Sequence, residues 1–448
     1  MGGINGQEPI KLVTEEESQT VFSPAWSPDG RWIAYPRWWK NAQGSQSSAI
    51  EVRPADGGPA KTLVSESSLP QSSSLCNESS CLRWSPDWRL LFPTSQAAES
   101  PSTQERYILW EVPVEPRTGE AAGKPARLVQ WSDIGADHLT ITADGKRLSF
   151  LKARVWQDVY VAELGRDGAS LKPPRRFTLD NRGSYPNSWT GDSTAIIFSS
   201  DRTGKSEVFR QGLNASFAEA IVRGPGDYSD AVLSPDGSWM LFRETTRATL
   251  DAPHSLGQLM RRPPAGGSPE LVLEEPADVE WRYSCPLKPG SSCVLSEQEG
   301  NQDVFYSLDP VRGKGDRLGT IEVGASRWFD WEVSPDGSRL ASIDELNHMG
   351  RIEVLTLSDR AWHEVSLDPG WGRLQSIAWT ADGKGFFVTS SSPESFDLLH
   401  VTLAGEVDPL LRNGHRQRMV NPMPSPDGKH LAFQAQTWDS NVWMLEGF

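Results

Sequence analysis

Apolar residues in this chain come in short runs separated by polar, turn-forming residues. Trp32-Ile33-Ala34-Tyr35, Asp158-Val159-Tyr160-Val161, Asp303-Val304-Phe305-Tyr306 and Glu270-Leu271-Val272-Leu273 are typical. Runs of this length bounded by turn residues predict β-strands. The first two strands of each group flank one recurring tetrapeptide. It reads Ser27-Pro28-Asp29-Gly30, then Ser85-Pro86-Asp87-Trp88, Thr142-Ala143-Asp144-Gly145 and Thr190-Gly191-Asp192-Ser193. It continues as Ser234-Pro235-Asp236-Gly237, Ser334-Pro335-Asp336-Gly337, Thr380-Ala381-Asp382-Gly383 and Ser425-Pro426-Asp427-Gly428, with a degenerate copy near Ser284. Pro pre-sets the first corner of a turn, Asp accepts hydrogen bonds from nearby backbone N–H groups, and Gly takes positive φ without a clash. Each copy therefore reads as a tight hairpin. A third and a fourth short run follow it. Four strands per unit, recurring every 44 to 58 residues, predict an all-β chain of four-stranded antiparallel blades arranged as a β-propeller.

Nine units predict nine blades in one domain covering 1–448, with eight as the alternative. The doubtful unit is the sixth (279–308), whose turn is replaced by Ser284-Cys285-Pro286-Leu287-Lys288-Pro289-Gly290. The last unit ends after three strands, the third at 441–445. An orphan fourth-strand pattern, Pro9-Ile10-Lys11-Leu12-Val13-Thr14, opens the chain. The expectation is that strand 9–14 completes the last blade and closes the ring, with 1–8 as a disordered lead. Trp26, Trp84, Trp189 and Trp379 share one position, just before the turn, which predicts packing between adjacent blades.

Composition narrows the class. Asp plus Glu number 59 against 44 Lys plus Arg, a net charge of -15. That balance argues against nucleic acid and against an anionic membrane as partners. No run of eighteen apolar residues occurs, so no membrane span is expected. Met1-Gly2-Gly3-Ile4-Asn5-Gly6 has no basic flank and no apolar segment, so it is not a signal peptide; it reads as the start of an excised fragment. The four cysteines fall in two local pairs, Cys76/Cys81 and Cys285/Cys293. Two small disulfide loops would place the chain in a periplasmic or other extracytoplasmic compartment; four reduced thiols in the cytoplasm are the alternative.

Chemistry is harder to find. No Gly-x-Ser-x-Gly elbow exists; Gly191-Asp192-Ser193-Thr194-Ala195 lacks the final Gly and sits in a repeat turn. The seven histidines are scattered, so no metal site is expected. No cofactor is expected either. The repeat Asp residues read as turn caps rather than as a catalytic pair. Binding is the stronger class. Loops on the face opposite the repeat turns carry Arg and aromatic residues that break phase with the repeat, and Trp156, Arg182, Tyr185, Tyr228, Arg327, Trp328, Trp371 and Arg373 are the candidate ligand- or partner-binding residues. The competing explanation is that such Arg and Trp side chains stack on each other and stiffen the loops. The expected function is a non-enzymatic sensor or protein-interaction module, monomeric, binding a protein or small molecule at this loop face. The alternative is an enzyme acting on a glycan or peptide in the central channel.

The units resemble the WD40-like, Pro-Asp-type repeat of the TolB-like propeller superfamily, through Pro24-Ala25-Trp26-Ser27-Pro28-Asp29-Gly30-Arg31-Trp32-Ile33-Ala34-Tyr35 and its equivalents. More narrowly, the chain resembles the C-terminal propellers of acidobacterial sensory proteins. The segments that carry this are Cys293-Val294-Leu295-Ser296-Glu297, Tyr306-Ser307-Leu308-Asp309-Pro310 and Asp439-Ser440-Asn441-Val442-Trp443-Met444-Leu445-Glu446. That resemblance implies a winged-helix or serine/threonine-kinase domain and a membrane helix upstream, with the propeller as the sensing half of a signalling protein.

Overall fold

The structure is a computed structural model and describes residues 19–40, 46–69, 73–75, 81–96, 106–132, 135–165, 168–180, 182–246, 256–276, 279–322, 329–344, 350–414 and 417–448. Residues 1–8 and strand 9–14 lie outside them. The chain is all-β, and the described strands form eight antiparallel sheets. The strands named below are β1 (Arg147–Glu163), β2 (Ser184–Trp189), β3 (Asp227–Leu233), β4 (Trp281–Ser284), β5 (Phe329–Val333), β6 (Arg373–Trp379), β7 (Arg418–Pro424) and β8 (His430–Glu446).

The repeat turn is built as its residues require. In Ser334-Pro335-Asp336-Gly337 the Ser334 hydroxyl donates to Asp336 Oδ1 at 2.6 Å and accepts the Arg339 N–H at 2.9 Å. Asp336 Oδ1 also accepts the Ser338 N–H at 3.1 Å, and Gly337 sits at φ +73. The same clamp recurs from Ser27 to Ser425. Trp88 (φ +66) and Ser193 (φ +61) hold the Gly position in two turns. Each hairpin is thus fixed by one hydroxyl and one carboxylate before any tertiary packing.

Two compact units divide the chain, 1–154 with 439–448, and 155–438. The first holds a sheet from Gln19–Val21 to Lys61–Ser65 and a sheet from Ser73–Leu75 to Ala126–Ser132. Trp32, Ile50, Phe92 and Trp110 share the core between them. Its third sheet pairs Gly135–Ile141 with the start of β1, and Gly447 N–H donates to the Lys146 carbonyl at 3.1 Å.

The second unit is a ring of six sheets. Five are plain four-stranded meanders whose innermost strands are β2, β3, β4, β5 and β6. The sixth combines the two ends of the unit: β7 pairs with β8, the Leu164 N–H donates to the Lys429 carbonyl at 2.8 Å, and Arg175–Arg176 pairs with Tyr160–Val161 of β1. Shared cores link neighbours around the ring: Phe198 and Ala432 in one, Ile197 and Phe242 in the next, then Leu241 and Leu295, then Phe305 and Trp331, then Ile343 and Trp379. Phase-locked tryptophans stitch the same joints. Trp189 Nε1 donates to the Met423 carbonyl at 2.9 Å and Trp379 Nε1 to the Glu332 carbonyl at 3.1 Å.

The described strands form eight sheets where nine repeat turns predict nine blades; after the third turn Gly135–Ile141 pairs with β1, and at the ninth turn β7 pairs with β8. The sixth unit, counted as a blade from sequence, is a four-stranded sheet. Residues 441–445, expected as a separate third strand, continue β8, while strand 9–14, expected to close the ring, lies outside the described residues. Trp84, Trp189 and Trp379 are buried as expected, but Trp26 is 59% exposed. It lies in the first sheet of its unit, where the following sheet's Trp84 donates to the Ala25 carbonyl and no described sheet precedes it.

Candidate functional site

The six innermost strands of the second unit surround a cavity of about 670 Å³. This lies within the ordinary size range of small-molecule sites. Geometry explains why polar side chains enter it. The innermost strands carry β-bulges between Pro186 and Ser188, between Ser229 and Val232, and between Val420 and Met423. A bulge re-aims the side chain at the extra residue, and Asn187, Asp230 and Asn421 all line the cavity. Asp230 (φ +56) and Asn421 (φ +53) hold left-handed backbone, which Asp and Asn tolerate better than most residues.

The chemistry concentrates on β4 and β5. Arg282 Nη1 bonds Asp330 Oδ1 at 2.5 Å, while Asp330 Oδ2 accepts the Ile377 N–H at 2.9 Å. The Ser284 hydroxyl donates to Glu332 Oε1. In the other turns this hydroxyl is held by the turn Asp; the sixth turn has none, so Ser284 is free to cross to the next sheet. Tyr283 Oη donates to the Asp230 carbonyl at 2.6 Å, and Arg243 Nε lies 3.3 Å from Asp230 Oδ2. Burial pushes the Glu332 carboxyl up to about 7, helped by the Asp330 charge and opposed by Ser284 and Arg282. Burial likewise raises Asp303 to about 6 and Tyr283 well above its ordinary value. Burial acts to lower Arg282, but Asp330, Glu332 and Asp230 outweigh it and hold the guanidinium charged.

One rim of the cavity is covalently fixed. Cys285 and Cys293 form a disulfide, and Cys285, Pro286 and Leu287 line the cavity. The loop between them leans on the neighbouring turn through Lys288 N–H to the Pro335 carbonyl (3.0 Å) and Ser291 Oγ to the Asp336 carbonyl (3.1 Å). Cys81 is also disulfide-bonded; Cys76 lies outside the described residues.

The residues chosen from sequence lie elsewhere. Arg327 and Trp328 fall outside the described residues, and none of the other six lines the cavity. Tyr185 is 41% exposed on β2, and it and Arg182 both face Asp201. Trp156 is half-buried on β1 and Arg373 is exposed at the start of β6. Tyr228 is buried, contrary to its expected place at a mouth; its hydroxyl donates to Glu244 Oε1 at 3.0 Å. Trp371 is packed under Arg412, 4.9 Å from the ring centroid. Arg–aromatic stacking therefore accounts for part of this set, as it does for Arg37 over Trp39 and Arg202 over Phe209. The cavity residues were missed although a signal existed: Phe329-Asp330-Trp331-Glu332-Val333 alternates acids with apolar residues on a strand that the repeat marks as innermost.

Gly191-Asp192-Ser193 forms an ordinary repeat turn, with Ser193 Oγ accepting the Asp427 N–H at 3.1 Å. Among the described residues, no group of three or more His, Cys, Asp or Glu side chains is placed to hold a metal ion, and no helix is long and apolar enough to cross a membrane.

No family model matches the chain, and no curated protein matches it. Its structural neighbours include TolB β-propeller proteins. The TolB-assigned protein of Agrobacterium tumefaciens is 15% identical over 62% of this chain and 98% of its own, with a TM-score of 0.47. TolB from Acinetobacter baumannii is 12% identical over 78% and 82%, with a TM-score of 0.44. A puromycin-hydrolyzing peptidase of Mycobacterium tuberculosis is 13% identical over 92% of this chain and 58% of its own, with a TM-score of 0.33. The propeller assignment itself rests on the strand order and sheet-to-sheet packing described above.

Proposed function

We propose that this chain is a recognition propeller, the sensing or partner-binding module of a bacterial signalling protein, and that its ligand enters the axial cavity of the second unit. The observation that carries this reading is the convergence of ionisable and aromatic side chains from consecutive innermost strands on one cavity of ligand size. Rigid sheets hold these groups in place. The exposed Tyr185 and Arg373, with Arg182 and Trp156, form a second candidate surface for a protein partner. The Cys285–Cys293 cystine and the disulfide-bonded Cys81 support an extracytoplasmic location. Small-molecule screening by thermal shift tests the reading. Cavity binders are expected to lose their effect in Asp330→Asn and keep it in Arg373→Ala; the reverse pattern moves the site to the loop face.

One observation favours an enzyme as the second reading. Glu332, with its raised carboxyl, stands two residues from Asp330 in one cavity, and an acid kept protonated near an ionised carboxylate is what glycosidic bond cleavage uses. Hydrolysis of a glycan or peptide panel that vanishes in Glu332→Gln would decide for it.

A further inference from the structure

We propose that the axial cavity takes a compact organic cation, an ammonium or guanidinium group carried on an apolar body. This rests on the cavity being the binding site. Seven acidic and basic side chains line it: Asp230, Arg243, Glu280, Arg282, Asp303, Asp330 and Glu332. Five are carboxylic acids and two are guanidiniums. Both guanidiniums are already engaged. Arg282 is held by Asp330 at 2.5 Å. Arg243 lies flat on the Trp281 ring, 4.0 Å from its centroid, beside Asp230 and hydrogen-bonded to the Trp281 carbonyl.

That leaves Asp303 and Glu332 to share the charge of Arg282, which is already bonded to Asp330. Their own hydrogen-bond partners are hydroxyls, Ser296 for Asp303 and Ser284 for Glu332. A carboxylate partly removed from water and hydrogen-bonded only by a hydroxyl costs free energy, and burial raises both carboxyls toward neutral pH against the pull of Arg282. A purely structural network would be expected to recruit a third cation or to lose the acids. Here the cavity is open instead, and its wall mixes polar groups with the apolar side chains of Trp281, Phe329, Ile377, Val232 and Leu287. A ligand cation would supply the missing charge, displace the proton on Glu332, and seat its hydrocarbon against rings that favour cations at their faces. A carboxylate or phosphate ligand would meet Asp303 and Glu332 and two guanidiniums already engaged.

The test uses the full chain labelled with 5-fluorotryptophan, the Trp281 resonance being identified from Trp281→Phe, and three isosteric probes: benzylammonium, benzyl alcohol and benzoate. Benzylammonium is expected to shift the Trp281 resonance saturably, at least tenfold more tightly than benzyl alcohol, with benzoate weakest. Glu332→Gln and Asp303→Asn, each checked for a parent-like melting transition, are expected to weaken benzylammonium at least tenfold while leaving benzyl alcohol unchanged. Unchanged benzylammonium affinity in both variants would overturn the inference, because it would mark general attraction to an acidic surface. Tighter binding of benzoate or benzyl alcohol than of benzylammonium at Trp281 would overturn the cation assignment and leave the cavity as a site. No shift with any probe would overturn both.

Discussion

Glu332 shows how one side chain can couple stability to function. Its carboxyl is raised from an ordinary 4.5 to about 7, chiefly by burial. Between these values the folded chain holds a proton that the unfolded chain has released. Stability therefore falls as pH rises from about 4.5 to about 7 and stays lower above. Glu332→Gln keeps an acceptor for Ser284 and removes the titration. Its melting temperature is expected to match the parent near pH 4 and exceed it at pH 8; a parent-like slope in a pH series of melts would contradict this. Glycine in the repeat turn makes a second residue-scale case. Gly30 and Gly337 have nearly the same φ (+72 and +73), but a Cβ at Gly30 meets open space, whereas one at Gly337 lies 2.8 Å from Ser291. Gly30→Ala is expected to cost about 1 kcal/mol for left-handed backbone alone. Gly337→Ala should cost more, because it also crowds the disulfide-bound loop; equal losses in chemical denaturation would mean that this loop yields freely. At this scale the turns were legible in the sequence, since Ser, Asp and Gly act locally. The cavity acids were not, because their meaning depends on which strands surround an axis.

At the scale of elements, the sequence marks strands and turns well and strand partners less well. The turn motif names each hairpin, so strands one and two of every unit could be read directly. β1 and β8 could not, because nothing local announces that each strand runs on past its own hairpin to a length of 17 residues. The tryptophans before the turns show the same contrast. Trp379 is 2% exposed, bonds the Glu332 carbonyl and packs 4.5 Å from Phe386. Trp379→Ala is expected to cost about 3–5 kcal/mol, the range for a buried large aromatic. Trp26 occupies the same sequence position, yet its change to Ala should stay within about 0.5 kcal/mol, as at an exposed site. Urea denaturation of both variants checks the pair, and comparable losses would mean that Trp26 is covered in solution. The disulfide between Cys285 and Cys293 is the element-scale counterpart of the turn clamp. It stands where the hydroxyl–aspartate clamp is missing and frees Ser284 for Glu332.

At the scale of the molecule, a ring must join its last sheet to its first, and the second unit does so with strands from both of its ends. β7 and the start of β8 come from one end; the latter part of β1 and Arg175–Arg176 come from the other. Every sheet of this ring is then packed between two neighbours, which leaves only the short edges of the outermost strands. The cavity and all its lining residues, from Pro186 to Pro426, lie within 155–438. A fragment of those residues is therefore expected to fold by itself, melt in one cooperative step and remain monomeric. It should also give the same benzylammonium-induced shift at Trp281 as the full chain, since no cavity residue has been removed. Size-exclusion chromatography, a calorimetric melt and the fluorine spectrum of the fragment test this together. A fragment that aggregates or melts without cooperativity would show that closure by β1 and β8 depends on the halves of those strands that were cut away. A fragment that folds but has lost the Trp281 response would place the site's support outside the ring.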